Sequence, residues 1–344
     1  MNDPSKKQIT AVLIPPSIRS VCFTSQDWER LEARCAVRYR QQEEWNLDEI
    51  IKVMREADIL LSGWGTKELT EEVLSPAPDL KLWIHAAGSM AGMATEAVWK
   101  RELTLSTAND VLARGVAEFA LAITIIALKQ VIPLHRALRD GELWWEARNV
   151  RPVRELCSMR VGIAGFGRVG RHLARLLGVF RDLDIVVSDP FAPDALFEEY
   201  GVRRMDLTEL CATSEVIHNC VPATTKTRGL FNARLLRSMK DDALFINTGR
   251  GATVDEAALI GELKTGRIHA CLDVTDPEPP EPGSPFYTLP NCLLTPHIAG
   301  AVGNGRLLLG RFAVDEILRY IDEQPLEGQV SRREVEGMTG GVGV

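Results

Sequence analysis

Three side chains able to grip an anion or move a proton stand just beyond apolar runs in the second half of the chain. Arg250 lies in "LFINTGRG", Glu278 in "CLDVTDPEPPEP" and His297 in "LLTPHIAG". A guanidinium between two glycines, whose backbone can reach a ligand, is a natural fork for a planar carboxylate. An imidazole titrates near neutral pH and can give or take a proton. A carboxylate beside it orients the ring and favours imidazolium. Such a set suits protonation of a carbonyl oxygen while hydride arrives at its carbon, and removal of that proton in reverse. Each residue also has a plainer reading: a surface arginine in a turn, a solvated acidic loop with Asp276 and Glu281, a buried structural histidine. What favours the set is its shared place. All three follow predicted strands, and ligands of an open α/β sheet sit outside the carboxyl ends of its strands.

A hydride source has its own signature upstream. In "MRVGIAGFGRVGRHLARLLGVF" (159–180), Met159, Val161 and Ile163 alternate as in a strand, and Leu173, Leu176, Leu177 and Phe180 follow at helical spacing. Between them Gly165, Gly167 and Gly170 give G-x-G-x-x-G. The first glycine permits the tight turn, the second lets a pyrophosphate approach the backbone, and the third lets helix and strand pack closely. The helix N-terminus offers its N–H groups to the phosphates. "LDIVVSD" then forms a strand ending at Asp189, 19 residues past Gly170 (189 − 170). An acid there accepts hydrogen bonds from the adenosine ribose and repels a 2′-phosphate. No arginine follows in "PFAPDA", which favours NAD over NADP. The alternative is a glycine turn beside an exposed strand end.

These elements need a scaffold. The chain has 344 residues, more than one core usually covers, so two domains are expected. Residues 8–106 alternate short apolar runs with helix-like ones, a second alternation begins at Met159, and an apolar helix is predicted over 111–131. Both alternations predict parallel sheets with helices on their faces. A further helix over 311–324 returns to the first domain in this reading, which makes that domain 1–107 with 303–344 and the nucleotide domain 108–302. The net charge of −7 argues against nucleic acid or an anionic membrane as partner. The apolar run 119–134 stops at Lys129 and carries Pro133, so it reads as a buried helix and no membrane span is expected. The first ten residues lack the apolar core of a secretion signal. Seven scattered cysteines without CxxC spacing suggest reduced thiols, a cytoplasmic setting and no metal site. The tail, 327–344, ends in glycines and is expected to be mobile.

With these motifs in view, the chain resembles the D-isomer-specific 2-hydroxyacid dehydrogenases over most of residues 80–325. The resemblance rests on "GIAGFGRVG", "VIHNCVPATTKTRGLFN", "LLRSMKDDALFINTGRGATVDEAAL", "CLDVTDPEP" and "LLTPHIAG", in that order. It implies an α/β chain of two domains, a Rossmann nucleotide-binding domain and a flavodoxin-like substrate domain, usually paired as homodimers through the nucleotide domains. It further implies NAD as cofactor and a small 2-hydroxyacid or 2-oxoacid as substrate, with domain closure excluding water. The family's catalytic set falls on Arg250, Glu278 and His297, with Arg250 gripping the carboxylate. Asp273 matches an aspartate at the nicotinamide carboxamide, Arg168 an arginine near the pyrophosphate, and Asp189 the ribose acid. Val169, Val221, Pro222, Thr227, Thr248, Gly249 and Gly300 complete the implied nucleotide contacts. "AAGSM" (86–90) matches the loop whose backbone holds the substrate carboxylate, which makes Ser89 and Met90 candidates.

The chain also departs from the family pattern. "GSMAGMATEA" replaces the usual G-x-G-x-D, "STAND" replaces an Asn-x-Pro-Gly turn, and "INTGRG" replaces "INTARG". The first two bear on the substrate. Met90, Met93 and nearby Trp83 hint at a partly apolar substrate side chain, and core packing explains them as well. Glu278, where formate dehydrogenases place glutamine, argues against that branch, and a small anion such as phosphite is a further donor of the same class. The expected activity is NAD-dependent interconversion of a D-2-hydroxyacid and a 2-oxoacid. The rival from another class is an NAD(H)-binding transcriptional corepressor of the same fold.

Overall fold

The computed structural model describes residues 7–149 and 153–338. Two compact units make up the chain: one runs to Ala113 and resumes at Ala301, the other is Arg114–Gly300. These boundaries stand beside the 107/108 and 302/303 read from sequence, and the helix Asn109–Leu128 runs through the first of them.

The first unit holds a parallel sheet of β1 (Ile9–Val12), β2 (Ala36–Tyr39), β3 (Ile59–Ser62), β4 (Leu82–His85) and β5 (Thr104–Thr107), in the order β2-β1-β3-β4-β5. Successive side chains of a strand point to opposite faces. Ala11, Leu60, Trp83 and Leu105 therefore enter one core with Ile50, Val53 and Met54, while Val12, Ile59, Leu61, Leu82 and Ile84 enter another. Against the second core lie the helices Ser25–Arg34 and Gly305–Ile321, through Leu31 and through Ala313, Val314 and Ile317. The chain after 326 is also anchored: Val330 and Val335 are buried in the first core, and Ser331 and Glu334 form a capping box on the helix Arg332–Glu336. The mobility expected of the tail is thus corrected up to Met338, because two valines bury apolar surface there. The glycines at 339–344 lie outside the described residues.

The second unit holds a parallel sheet of β6 (Arg160–Ala164), β7 (Asp184–Ser188), β8 (Arg203–Arg204), β9 (Val216–Asn219), β10 (Leu244–Asn247), β11 (His269–Leu272) and β12 (Cys292–Leu294). Their order is β12-β11-β10-β9-β6-β7-β8, which places the strand-order reversal at β6 and β9. Val161, Ile163, Val187, Leu244 and Ile246 pack on one face with the helix Arg168–Leu177, and Ala164, Ile217, Phe245 and Leu272 pack on the other.

The apolar length expected of one helix is corrected here. Asn109–Leu128, at 20 residues, is by length and composition long and apolar enough to cross a membrane. The helix expected over 111–131 starts two residues earlier, but the apolar run read from sequence counts only from Phe119, and Lys129 and Pro133 fall beyond the helix end. In the structure Ala117, Ala120, Ile123 and Leu128 of this helix pack into the core of the second unit.

Candidate active site

The glycine turn after β6 behaves as its spacing requires. Gly165 has φ +89, and a Cβ there would stand 2.9 Å from the Cys220 carbonyl oxygen. At Gly170 a Cβ would stand 2.2 Å from the Gly165 oxygen, so only glycine lets the helix Arg168–Leu177 sit on the turn. Gly167 is different: nothing lies within 4 Å of a Cβ built there, and as N-cap it supplies no side-chain bond to the helix. The turn is open where a pyrophosphate would approach, and the helix end is left for it. Arg168 and Val169, half-buried, begin that helix.

Asp189 follows β7 and accepts three backbone N–H bonds: from Phe166 at 2.7 Å, Phe191 at 2.8 Å and Ala192 at 3.0 Å. Its carboxylate thus ties the glycine turn to the next loop. Sequence reasoning missed Arg204, which β8 brings alongside. Its guanidinium donates to the carbonyls of Asp189 (2.8 Å) and Ala192 (2.5 Å) and to Asp194 (2.9 Å). An arginine fifteen residues from the acid becomes its neighbour only through the pairing of β7 with β8.

Arg250 follows β10. Burial pushes its guanidinium below its ordinary value, and the nearby charge of Glu278 opposes that shift. Its Nη1 donates to the Gly249 carbonyl at 2.7 Å. The glycines on either side serve packing, which corrects their reading as a path for a ligand. A Cβ on Gly249 would lie 2.9 Å from the Val221 oxygen, and one on Gly251 would lie 1.9 Å from the Thr275 carbonyl carbon. Beneath the arginine a buried amide network, unread in the sequence, fixes the loop. Asn219 donates to Asn247 (3.0 Å) and to Thr253 (2.7 Å), and Thr253 donates to the Arg250 carbonyl (2.7 Å). Its signal was an asparagine closing each of two apolar strands, "VIHN" and "LFIN", since a buried amide needs partners. Val221 donates its N–H to Asn219 (3.1 Å), Thr227 donates to the Pro222 carbonyl (2.6 Å), and Thr248 is buried.

His297 and Glu278 are in direct contact, with Nδ1 and Oε1 2.5 Å apart and the side chains 38% and 41% exposed. Glu278 accepts the Nδ1 proton, which leaves Nε2 as the ring nitrogen without a hydrogen bond among the described residues. His297 has φ +52, and Asp273 holds that turn. The Asp273 carboxylate, buried after β11, accepts from Thr295 Oγ1 (2.6 Å), Ile298 N (2.9 Å) and Ala299 N (2.9 Å). Gly300 closes the segment. Below Glu278, the loop is fastened from the side. Asp276 N donates to Glu256 at 2.7 Å, and Arg228 pairs with the Asp276 carboxylate at 3.0 Å. Burial pushes the Glu256 carboxyl up to about 7, against the bond from Asp276 N and with the Asp276 charge.

A match to the family described as D-isomer specific 2-hydroxyacid dehydrogenase, NAD binding domain, covers residues 121–299, more than half of the chain. The chain belongs to this family.

As a member of it, the protein takes NAD as cofactor, and the glycine turn and Asp189 fit that group. D-3-phosphoglycerate dehydrogenase of Archaeoglobus fulgidus is 29% identical over 290 residues, covering 84% of this chain and 54% of that protein. The chain therefore spans about half the length of that relative. Hydroxypyruvate reductase of Thermotoga maritima is 27% identical over 324 residues, covering 93% and 97%. A solved phosphoglycerate oxidoreductase from Rhizobium etli shares the fold, with a TM-score of 0.79 at 24% identity over 95% and 99% of the two chains.

The first unit carries the 86–90 loop after β4. Ala86 N donates to Ser62 O at 2.8 Å, and Thr107 Oγ1 donates to the Ala87 and Gly88 carbonyls, each at 2.7 Å. Ser89 Oγ accepts from Ala91 N at 3.3 Å. The Met90 side chain is fully buried, and with Met93 and Trp83 it belongs to the core. Of the two readings of these residues, core packing is the one found: their side chains are buried in the first unit, which leaves the Met90 backbone for a ligand.

Proposed function

We propose that this chain catalyses NAD-dependent interconversion of a D-2-hydroxyacid and a 2-oxoacid, with Arg250, Glu278 and His297 as the catalytic set. The observation that carries the proposal is the 2.5 Å His297–Glu278 contact with Nε2 unengaged, in the same domain as the nucleotide turn. Bound NAD supplies the hydride acceptor, and NADH the donor. In reduction, His297 gives its Nε2 proton to the carbonyl oxygen; in oxidation it takes the hydroxyl proton. Glu278 keeps hold of Nδ1–H in both directions, so the ring stays oriented and its positive charge is matched. Arg250 grips the substrate carboxylate as a fork, and its partial desolvation strengthens that grip. The backbone of Ser89 and Met90 is a second holder of the carboxylate, and Asp273 an orienting contact for the nicotinamide amide.

The proposal extends to a homodimer, supported by Leu143, Trp144 and Trp145, which stand 66%, 67% and 67% exposed in one patch of the second unit. It includes a cytoplasmic setting, supported by seven cysteines that are all free thiols. The deciding experiment is His297→Ala. Turnover on the best 2-oxoacid should fall by roughly 10²–10⁴ while NADH affinity, read by fluorescence, is kept. Near-normal turnover would remove His297 from the mechanism.

A further inference from the structure

The first sheet has its own strand-order reversal, between β1 and β3, and ligands of such sheets bind outside the strand ends at that point. Trp64 lies there, two residues past the end of β3 and half-buried. The neighbouring strand leads to the 86–90 loop: Ser62 pairs with His85, so Trp64 and Gly88 leave adjacent strands about 5 Å apart. Over the Trp64 ring, 5.9 Å from its centroid, sits the guanidinium of Arg306.

Arg306 is in the first turn of Gly305–Ile321, one turn before Gly310, which meets the Cys22 carbonyl so closely that a Cβ there would lie 1.9 Å away. That packing fixes the helix and with it the arginine. Half of the twelve arginines of this unit are in ion pairs, as with Arg30–Asp315, Arg34–Asp322, Arg101–Glu71 and Arg319–Glu327. The Arg306 guanidinium has no ion pair or hydrogen bond among the described residues, and its Nε is buried without a partner. The nearby Cys22 thiol does not neutralise it, since burial pushes that thiol up to about 11 against the pull of Arg306. A buried donor on a charged group is costly to leave unmade, and a guanidinium is shaped for a carboxylate or phosphate.

We propose that Arg306, laid over Trp64, binds a second anionic group at the far end of the substrate, so that the enzyme prefers 2-oxoacids bearing a terminal carboxylate. This rests on the reading of the chain as a 2-oxoacid reductase whose 86–90 loop holds the first carboxylate. It assigns the selectivity that Met90 and Met93, turned into the core, do not provide.

Isosteric pairs test it. Oxaloacetate and 4-methyl-2-oxopentanoate differ in a carboxylate against an isopropyl group, as do 2-oxoglutarate and 5-methyl-2-oxohexanoate. With NADH and the full chain, kcat/KM should be at least tenfold higher for the dianion of each pair. In Arg306→Met that ratio should collapse by tenfold or more; because the ratio is read, a general loss of activity does not imitate it. A preference for 3-phosphohydroxypyruvate over both dianions, lost in the same variant, would uphold the anion site and make its natural group a phosphate. Wild-type indifference within the pairs, or an unchanged ratio in Arg306→Met, would sink the inference while leaving the reductase reading intact. Failure to reduce any of the five compounds would overturn both.

Discussion

Asp189 and Asp273 share a device at the level of single residues. Each follows a strand, and each carboxylate gathers three donors, Asp189 from the glycine turn and its own loop, Asp273 from the loop around His297. A carboxylate so engaged orders backbone as well as charge. Asp189→Ala should weaken NAD binding and narrow the gap between NAD and NADP, since the acid that repels a 2′-phosphate is gone. The ratio of the two dissociation constants checks this, and an unaltered ratio would move ribose recognition to another residue. Asp189 was legible from its spacing to the glycines, a local property. Arg204, the Asn219–Asn247–Thr253 network and the turn-holding bonds of Asp273 were not, because strand pairing and loop closure bring them together across tens of residues.

At the level of elements, the three fingerprint glycines divide into two that serve packing and one that serves open space. A methyl at Gly170 meets the Gly165 carbonyl at 2.2 Å, backbone against backbone, whereas one at Gly167 meets nothing within 4 Å. Gly167 has φ −69, which alanine adopts without strain. Gly167→Ala should therefore fold with an unaltered melting temperature and lose at least tenfold in NADH affinity. Gly170→Ala should melt earlier by several degrees or fail to accumulate. A Gly167→Ala protein that binds NADH normally would contradict the place given to the pyrophosphate. The sequence showed the strand, turn and helix here because apolar period and glycine spacing agreed. It placed the helix Asn109–Leu128 within two or three residues but undercounted its apolar run, because Arg114 and Glu118 interrupt that run without ending the helix. It left Met90 open between ligand lining and core because nothing local tells the inward face of a loop from the outward one.

Across the whole molecule, each unit buries one histidine that must stay neutral. His85, bonded through Nδ1 to Ser62 at 2.9 Å, and His218, beside Thr124 at 3.3 Å, are both pushed down by burial to about 3. Their folded values lie below the ordinary 6.5, so the unfolded chain binds more protons under that pH, and stability falls as pH drops from about 6.5 toward 3. At pH 5 each costs roughly 2 kcal/mol. Thermal melts at pH 8 and 5 should differ by several degrees, and His218→Asn should shrink the difference; pH-independent melting would contradict the buried neutral state. In solution the chain should run at twice its 38.1 kDa mass by light scattering. A Trp144→Glu, Trp145→Glu double variant should run as a monomer, and a wild-type monomer would leave that aromatic patch for some other partner.

The Glu256 carboxyl, under the loop that carries Glu278, has a consequence for enzymology. Glu256 touches no reacting atom, yet it changes charge near neutrality while fastened to the segment that carries Glu278. A bell-shaped rate profile would thus contain a bystander's ionisation in the same interval where free imidazole titrates. Matching curves from Glu256→Gln and the parent would give that limb to the ring; a displaced inflection would give it to the anchor.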